Sequence, residues 1–157
     1  MAEQAKAAAE PMQVRVLGQY VKDLSFESPN ITKLLSGAPE NPNLNLELNV
    51  VPTLVREDLH EVALIFKAEA SSTAGTIYDL EMVYAGLFEI KNAPAEALEP
   101  MLHINSAALL FPFLRRLVAD LTREGGFPPL LLDPVDFASL YMKKREEMAN
   151  APRSKLS

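Results

Sequence analysis

Residues 105–137 read NSAALLFPFLRRLVADLTREGGFPPLLLDPVDF. Within them Leu109, Leu110, Phe113, Leu114, Leu117, Val118 and Leu121 recur at helical spacing, with Arg115, Arg116, Asp120, Arg123 and Glu124 off that stripe. Gly125-Gly126 stops the helix, because a residue without Cβ takes the left-handed cap conformation freely. Pro128-Pro129 forbids more helix, and Leu130-Leu131-Leu132 is far too short to span a bilayer. An amphipathic helix with a fixed exit needs an apolar surface beneath it. Pro112 lies inside the pattern, so the helix either kinks there or starts at Phe111.

Upstream, four stretches alternate with period two, the mark of half-buried strands. In residues 12–26, Val14, Val16, Tyr20, Leu24 and Phe26 share one parity; Gly18 suggests a bulge or a close backbone approach, and Lys22 breaks the apolar phase. Leu44, Leu46, Leu48 and Val50 form the second strand, which Pro52 closes. Val62, Leu64, Phe66, Ala68 and Ala70 form the third. The fourth, IYDLEMVYAGLFEI (77–90), has one wholly apolar face. Its other face is acidic at the start and apolar in the middle, a pattern that suits a subunit contact. Residues 28–43, with three prolines, form a long irregular connection after the first strand. A short helix is expected over 93–102, and a last one after the N-cap residue Asp136. Strands followed by helices, without βαβ alternation, predict an α+β fold. It has a four-stranded antiparallel sheet, a long crossover loop after strand 1, and two C-terminal helices packed on one face. Residues 12–148 make one domain, flanked by disordered tails at 1–11 and 149–157.

Composition narrows the function. The 157 residues contain no cysteine, so thiolate and disulfide chemistry is excluded. MAEQAKAAAEPM has no apolar signal core, and no run appears long enough for a membrane span; a cytoplasmic protein without membrane insertion is expected. Residues 20–90 hold 11 acids and 4 bases, net −7, which repels nucleic acid and suits a basic partner or a merely solvated face. The six glycines form no phosphate loop. His60 and His103 lack metal-ligand spacing, and no nucleophile elbow surrounds Ser106. Asp79 and Glu81 share a strand face with little desolvation to separate their pKa values. No enzyme, metal or cofactor is implied. If the polar strand phases share one side, Asp23, Glu27, Glu47, Glu61, Glu69, Asp79, Glu81 and Glu89 make an acidic plate, and a protein-holding function follows.

Four segments carry a resemblance: YVKDLSFESPN (20–30), YDLEMVYAGLFEI (78–90), LLFPFLRRLVADLTREGGFPPLLLDPVDF (109–137) and the LYM that follows. They resemble the bacterial export chaperone family SecB, in order, over residues 12–148. The resemblance implies a homotetramer, a dimer of dimers, that binds unfolded preproteins without ATP and passes them to the translocase ATPase SecA. It implies SecA binding by Asp23, Glu27, Asp79 and Glu81, although Asp79 stands where the family often has an apolar residue. It implies a client groove of Ile31, Leu34, Leu35, Leu44, Phe137, Leu140 and Tyr141. Met82 and Tyr84 fall at subunit contacts or in the monomer core. A related reading is a chaperone dedicated to one cognate client, such as a toxin-system protein.

Overall fold

The computed structural model describes residues 10–37 and 41–151. Four antiparallel strands, β1 (Gln13–Glu27), β2 (Asn43–Arg56), β3 (Leu59–Ser72) and β4 (Gly75–Lys91), form one sheet in the order β1-β4-β3-β2. β1 and β2 therefore sit on opposite edges. The connection between them must pass from one edge to the other, and it contains a single helical turn, α1 (Ile31–Leu34). The expected tails fall mainly on residues 1–9 and 152–157, outside the described residues.

Helices α2 (Ala95–Pro100), a π-helical segment (Met101–Ser106) and α3 (Ala107–Glu124) run on as one 30-residue helix, and α4 spans Phe137–Asn150. The helix thus starts well before Phe111 and passes through Pro112. By length and composition it could cross a membrane, contrary to the sequence expectation. Its apolar stripe nevertheless lies on the sheet: Leu110, Leu114 and Val118 are fully buried. Each contributes about 2 kcal/mol by leaving water. Leu109 and Phe113 belong to the same stripe yet stay nearly half exposed. The apolar arc is wider than the sheet beneath it.

The core is the even-numbered side of β3 and β4: Val62, Leu64, Phe66 and Ala68 beside Tyr78, Leu80, Met82, Tyr84, Phe88 and Ile90. β1 does not keep the parity that its sequence suggested. Register shifts lie between Val16 and Gly18 and between Val21 and Asp23. These bulges, beside Gly18 and at Lys22, put Val14, Val16, Val21, Leu24 and Phe26 on the helix side and turn Tyr20 to the open side. Pro52 does not close β2, which continues to Arg56. As an edge strand, β2 tolerates a residue without N–H.

The two glycines after α3 serve different needs. Gly125 is right-handed (φ −72°), and a Cβ there would lie 2.6 Å from the Phe26 ring. Gly126 takes the left-handed conformation at φ +90°. Phe127 N–H donates to Thr122 O (3.0 Å) and Gly126 N–H to Arg123 O (3.0 Å), the paired bonds of a Schellman ending. Buried Thr122 also accepts from Leu130 N–H at 2.8 Å, which directs the exit segment. Asp136 caps α4 as expected, accepting from Ser139 N–H at 3.1 Å. That bond holds its carboxyl below the usual value.

Candidate functional site

The open side of the sheet collects all eight acids expected on one plate. Register places Glu27 beside Asp79, and Asp79 beside Glu69, in one row across β1, β4 and β3. The next row is Ser25, Glu81, Lys67 and Glu47. Asp23 follows, opposite Val83. Together Ser25, Glu27, Lys67, Glu69, Asp79 and Glu81 line a shallow depression of about 350 Å³. One ion pair crosses it, Lys67 Nζ to Glu81 at 3.8 Å, and both side chains are more than half exposed. Like charges directly opposite on neighbouring strands destabilise a sheet. The Glu27–Asp79–Glu69 row therefore costs stability on its own.

The other end of the same face is self-satisfied. Tyr20 Oη donates to Glu61 Oε2, and Lys22 Nζ donates to Glu61 Oε1 at 2.7 Å. Glu61 is 16% exposed, and the Lys22 and Tyr20 hydrogen bonds hold its carboxyl below the usual range. Desolvation and the Glu61 bond push Tyr20 up to about 12. This bridge runs from β1 to β3 over β4, where Ala85 is fully buried. Glu89 is likewise met by Arg15 (3.7 Å) and Lys91 (3.8 Å). Sequence parity groups Tyr20 with the apolar residues of β1, whereas pairing with Ala85 puts it on the open side. The signal that could have corrected it was Lys22, the residue out of phase.

Of the expected groove residues, Phe137, Leu140 and Tyr141 share one cavity, and Leu34 lies at another. Phe137 is 4% exposed, packs edge-on to Phe111 at 5.7 Å between centroids, and forms the floor shared by the core and the α4 cavity. Leu140 and Tyr141 line a cavity of about 220 Å³ with Leu48, Val50, His103 and Lys144. Leu34 lines a separate depression of about 350 Å³ beside the β3–β4 turn. Ile31 is half-buried, and Leu35 is 76% exposed. Leu44 and Leu46, both more than 40% exposed, stand opposite Ala70 and Ala68 on the helix side of β2. With Leu48 and Val50 they form one row about 20 Å long, at about 3.4 Å per residue. The sequence did not single out Leu48, Val50, His103 or Lys144 as cavity-lining residues. Their alternation showed a strand but not how far the helices would cover it.

Met82 and Tyr84 are both buried within the single chain. Tyr84 stacks on Phe113 at 6.2 Å and donates to Gln19 Oε1 at 3.1 Å. Beside it lies an exposed apolar strip of Val14, Val16, Leu17, Val21 and Leu24 on β1, with Leu109 and Phe113 on α3. Among the described residues no His, Asp and Glu group could hold a metal ion. His103 Nε2 meets Glu99 at 3.2 Å, whereas the Ser106 hydroxyl is buried without a partner.

Residues 6–148 match the family described as preprotein translocase subunit SecB. The chain belongs to the SecB family. The protein-export protein SecB of Bradyrhizobium sp. (strain BTAi1 / ATCC BAA-1182) is 46% identical over 144 residues, 92% of this chain and 89% of the relative. That of Zymomonas mobilis subsp. mobilis is 44% identical over 135 residues, 86% of this chain and 82% of the relative. The SecB-like chaperone of Mycobacterium tuberculosis, solved with a ChAD peptide from the HigA1 antitoxin, has a TM-score of 0.63 at 17% identity. It covers 78% of this chain and 90% of that one, and shows a shared fold. Family membership makes this SecB chain a chaperone of protein export, so the two surfaces described above are candidates for its protein contacts.

Proposed function

We propose that this SecB chain is an ATP-independent holdase. It keeps preproteins unfolded in the cytoplasm along the β2 row and delivers them to SecA through the acidic end of the open sheet face. The observation that carries this reading is the separation of two unlike surfaces. One is a row of exposed leucines beside an apolar cavity; the other is an uncompensated row of carboxylates on the opposite side of the sheet. Unfolded chains expose apolar residues that folded ones bury, so a row of leucines selects them without a sequence motif. Handover needs a second, chemically different surface, and Asp23, Glu27, Asp79 and Glu81 supply it for a basic patch.

The exposed strip of β1 and α3 supports assembly into a dimer of dimers, because an apolar area of that extent is costly to leave wet. In that assembly Tyr84 contributes through Phe113, and Met82 from beneath. Several grooves on one oligomer then bind one long client with avidity. The export reading is preferred over a single cognate client. The relatives at 44–46% identity are named for export, whereas the peptide-bound neighbour shares only the fold.

The test is aggregation of an urea-unfolded preprotein after dilution. The purified protein is expected to suppress it without nucleotide, and Leu44→Ser with Leu46→Ser to abolish that effect while native mass stays tetrameric. Suppression that survives the double substitution would remove the β2 row from the groove.

A further inference from the structure

Helix α4 is held over the sheet edge by Phe137, Leu140, Tyr141 and Lys144. Phe137 anchors its first turn in the core. One turn on, Tyr141 stacks on the His103 imidazole, centroids 4.9 Å apart and planes 26° apart. At the next turn Lys144 Nζ donates to Val50 O at 3.2 Å. The 220 Å³ cavity lies among these residues, so the seat of α4 is also the wall of the groove.

His103 sits at the centre of this seat. Its π-helical segment is a wide turn of a kind often found at functional positions. The imidazole side chain is 12% exposed. From the long helix it faces Glu99, which is 63% exposed and therefore well screened. From α4 it faces Tyr141 and Lys144; Lys143 and Glu147 line the same cavity, and the Arg145 guanidinium stands 5.8 Å from the Tyr141 ring centre. The β2 residues at the cavity, Leu48, Asn49 and Val50, carry no titratable group. The largely buried imidazole thus has Lys144 as its cationic neighbour on α4, with Lys143 and Glu147 further along the cavity, while its acidic partner Glu99 is mostly in solvent.

We propose that His103 is a protonation latch for α4: the neutral ring seats Tyr141 and the helix over β2, and a proton on it unseats the helix and widens the groove. This rests on the groove reading above. Desolvation, helped by Lys144 and opposed by Glu99, holds the imidazole below its ordinary 6.5. The seated state therefore binds the proton more weakly than the unseated one. The seat is at full strength above the ordinary imidazole value and weakens as pH falls through and below it.

The experiment is hydrogen exchange on the full oligomer, with rates corrected for intrinsic pH dependence, between pH 7.5 and pH 5.5. Protection across residues 137–150 is expected to drop about threefold or more in the wild type, while α3 stays unchanged. His103→Phe, which keeps a ring under Tyr141, and His103→Gln are expected to remove the pH dependence. The same samples are titrated with a fluorescent unfolded peptide, whose affinity should follow α4 protection only when His103 is present. Identical pH profiles in wild type and both variants overturn the latch even where peptide still binds. Peptide binding absent at every pH, with α4 still switching, overturns the groove reading and leaves the latch. Should His103→Phe not fold, the NMR titration of His103 decides: a midpoint at or above 6.5 overturns the proposal.

Discussion

Two ends of one sheet face carry the same residue type and treat it oppositely. At the Glu61 end, carboxylates are spent on their own bases: Lys22 and Tyr20 hold Glu61, and Arg15 and Lys91 hold Glu89. At the Glu27 end, three carboxylates stand side by side on adjacent strands, and Lys67 reaches Glu81 at 3.8 Å. The first arrangement stabilises this chain; the second weakens it. An acidic residue in a strand therefore means little until its cross-strand neighbours are known.

The contrast breaks most easily at its structural end. Glu61→Ala leaves the Tyr20 hydroxyl and the Lys22 ammonium without their acceptor. It is expected to cost about 1–3 kcal/mol in denaturant unfolding, with SecA affinity unchanged. A loss of SecA binding at full stability would move the delivery surface to this end. At the other end, Glu81→Lys sets a cation beside Lys67. Binding to SecA is expected to weaken about tenfold while client holding persists; unchanged affinity removes Glu81 from the surface.

Two smaller effects sharpen the comparison. Glu61's carboxyl is held below the ordinary 4.5, so its stability is present above that value and is lost as pH falls through the lowered one. Thermal melts between pH 6 and pH 3 should fall less steeply in Glu61→Gln than in the wild type; parallel curves would show that the bridge carries no linkage. The smallest change is a gain. Glu69→Gln relieves the like-charge row and is expected to raise stability by about 0.2–1 kcal/mol while reducing SecA affinity.

Much of this was legible in the residues. The period of two gave four strands, the leucine stripe gave α3, Asp136 gave the cap of α4, and the odd residues gave the acidic plate, because each depends on neighbours close in the chain. The two faults in β1, Gly18 and Lys22, marked its bulges, but only pairing with β4 showed that they turn Tyr20 to the other face. Gly125-Gly126 read as a helix stop; only the approach of Phe26, a hundred residues earlier in the chain, showed why the first glycine is needed. Sequence alone determined which side chains are apolar and in what phase. The tertiary structure decided which of them remain uncovered, because coverage depends on how far α3 and α4 extend over the sheet. That is why Leu44 and Leu46 stay exposed, Phe137 is buried between the core and the α4 cavity, and His103, one more polar residue in the sequence, lies under Tyr141 at the seat of the last helix.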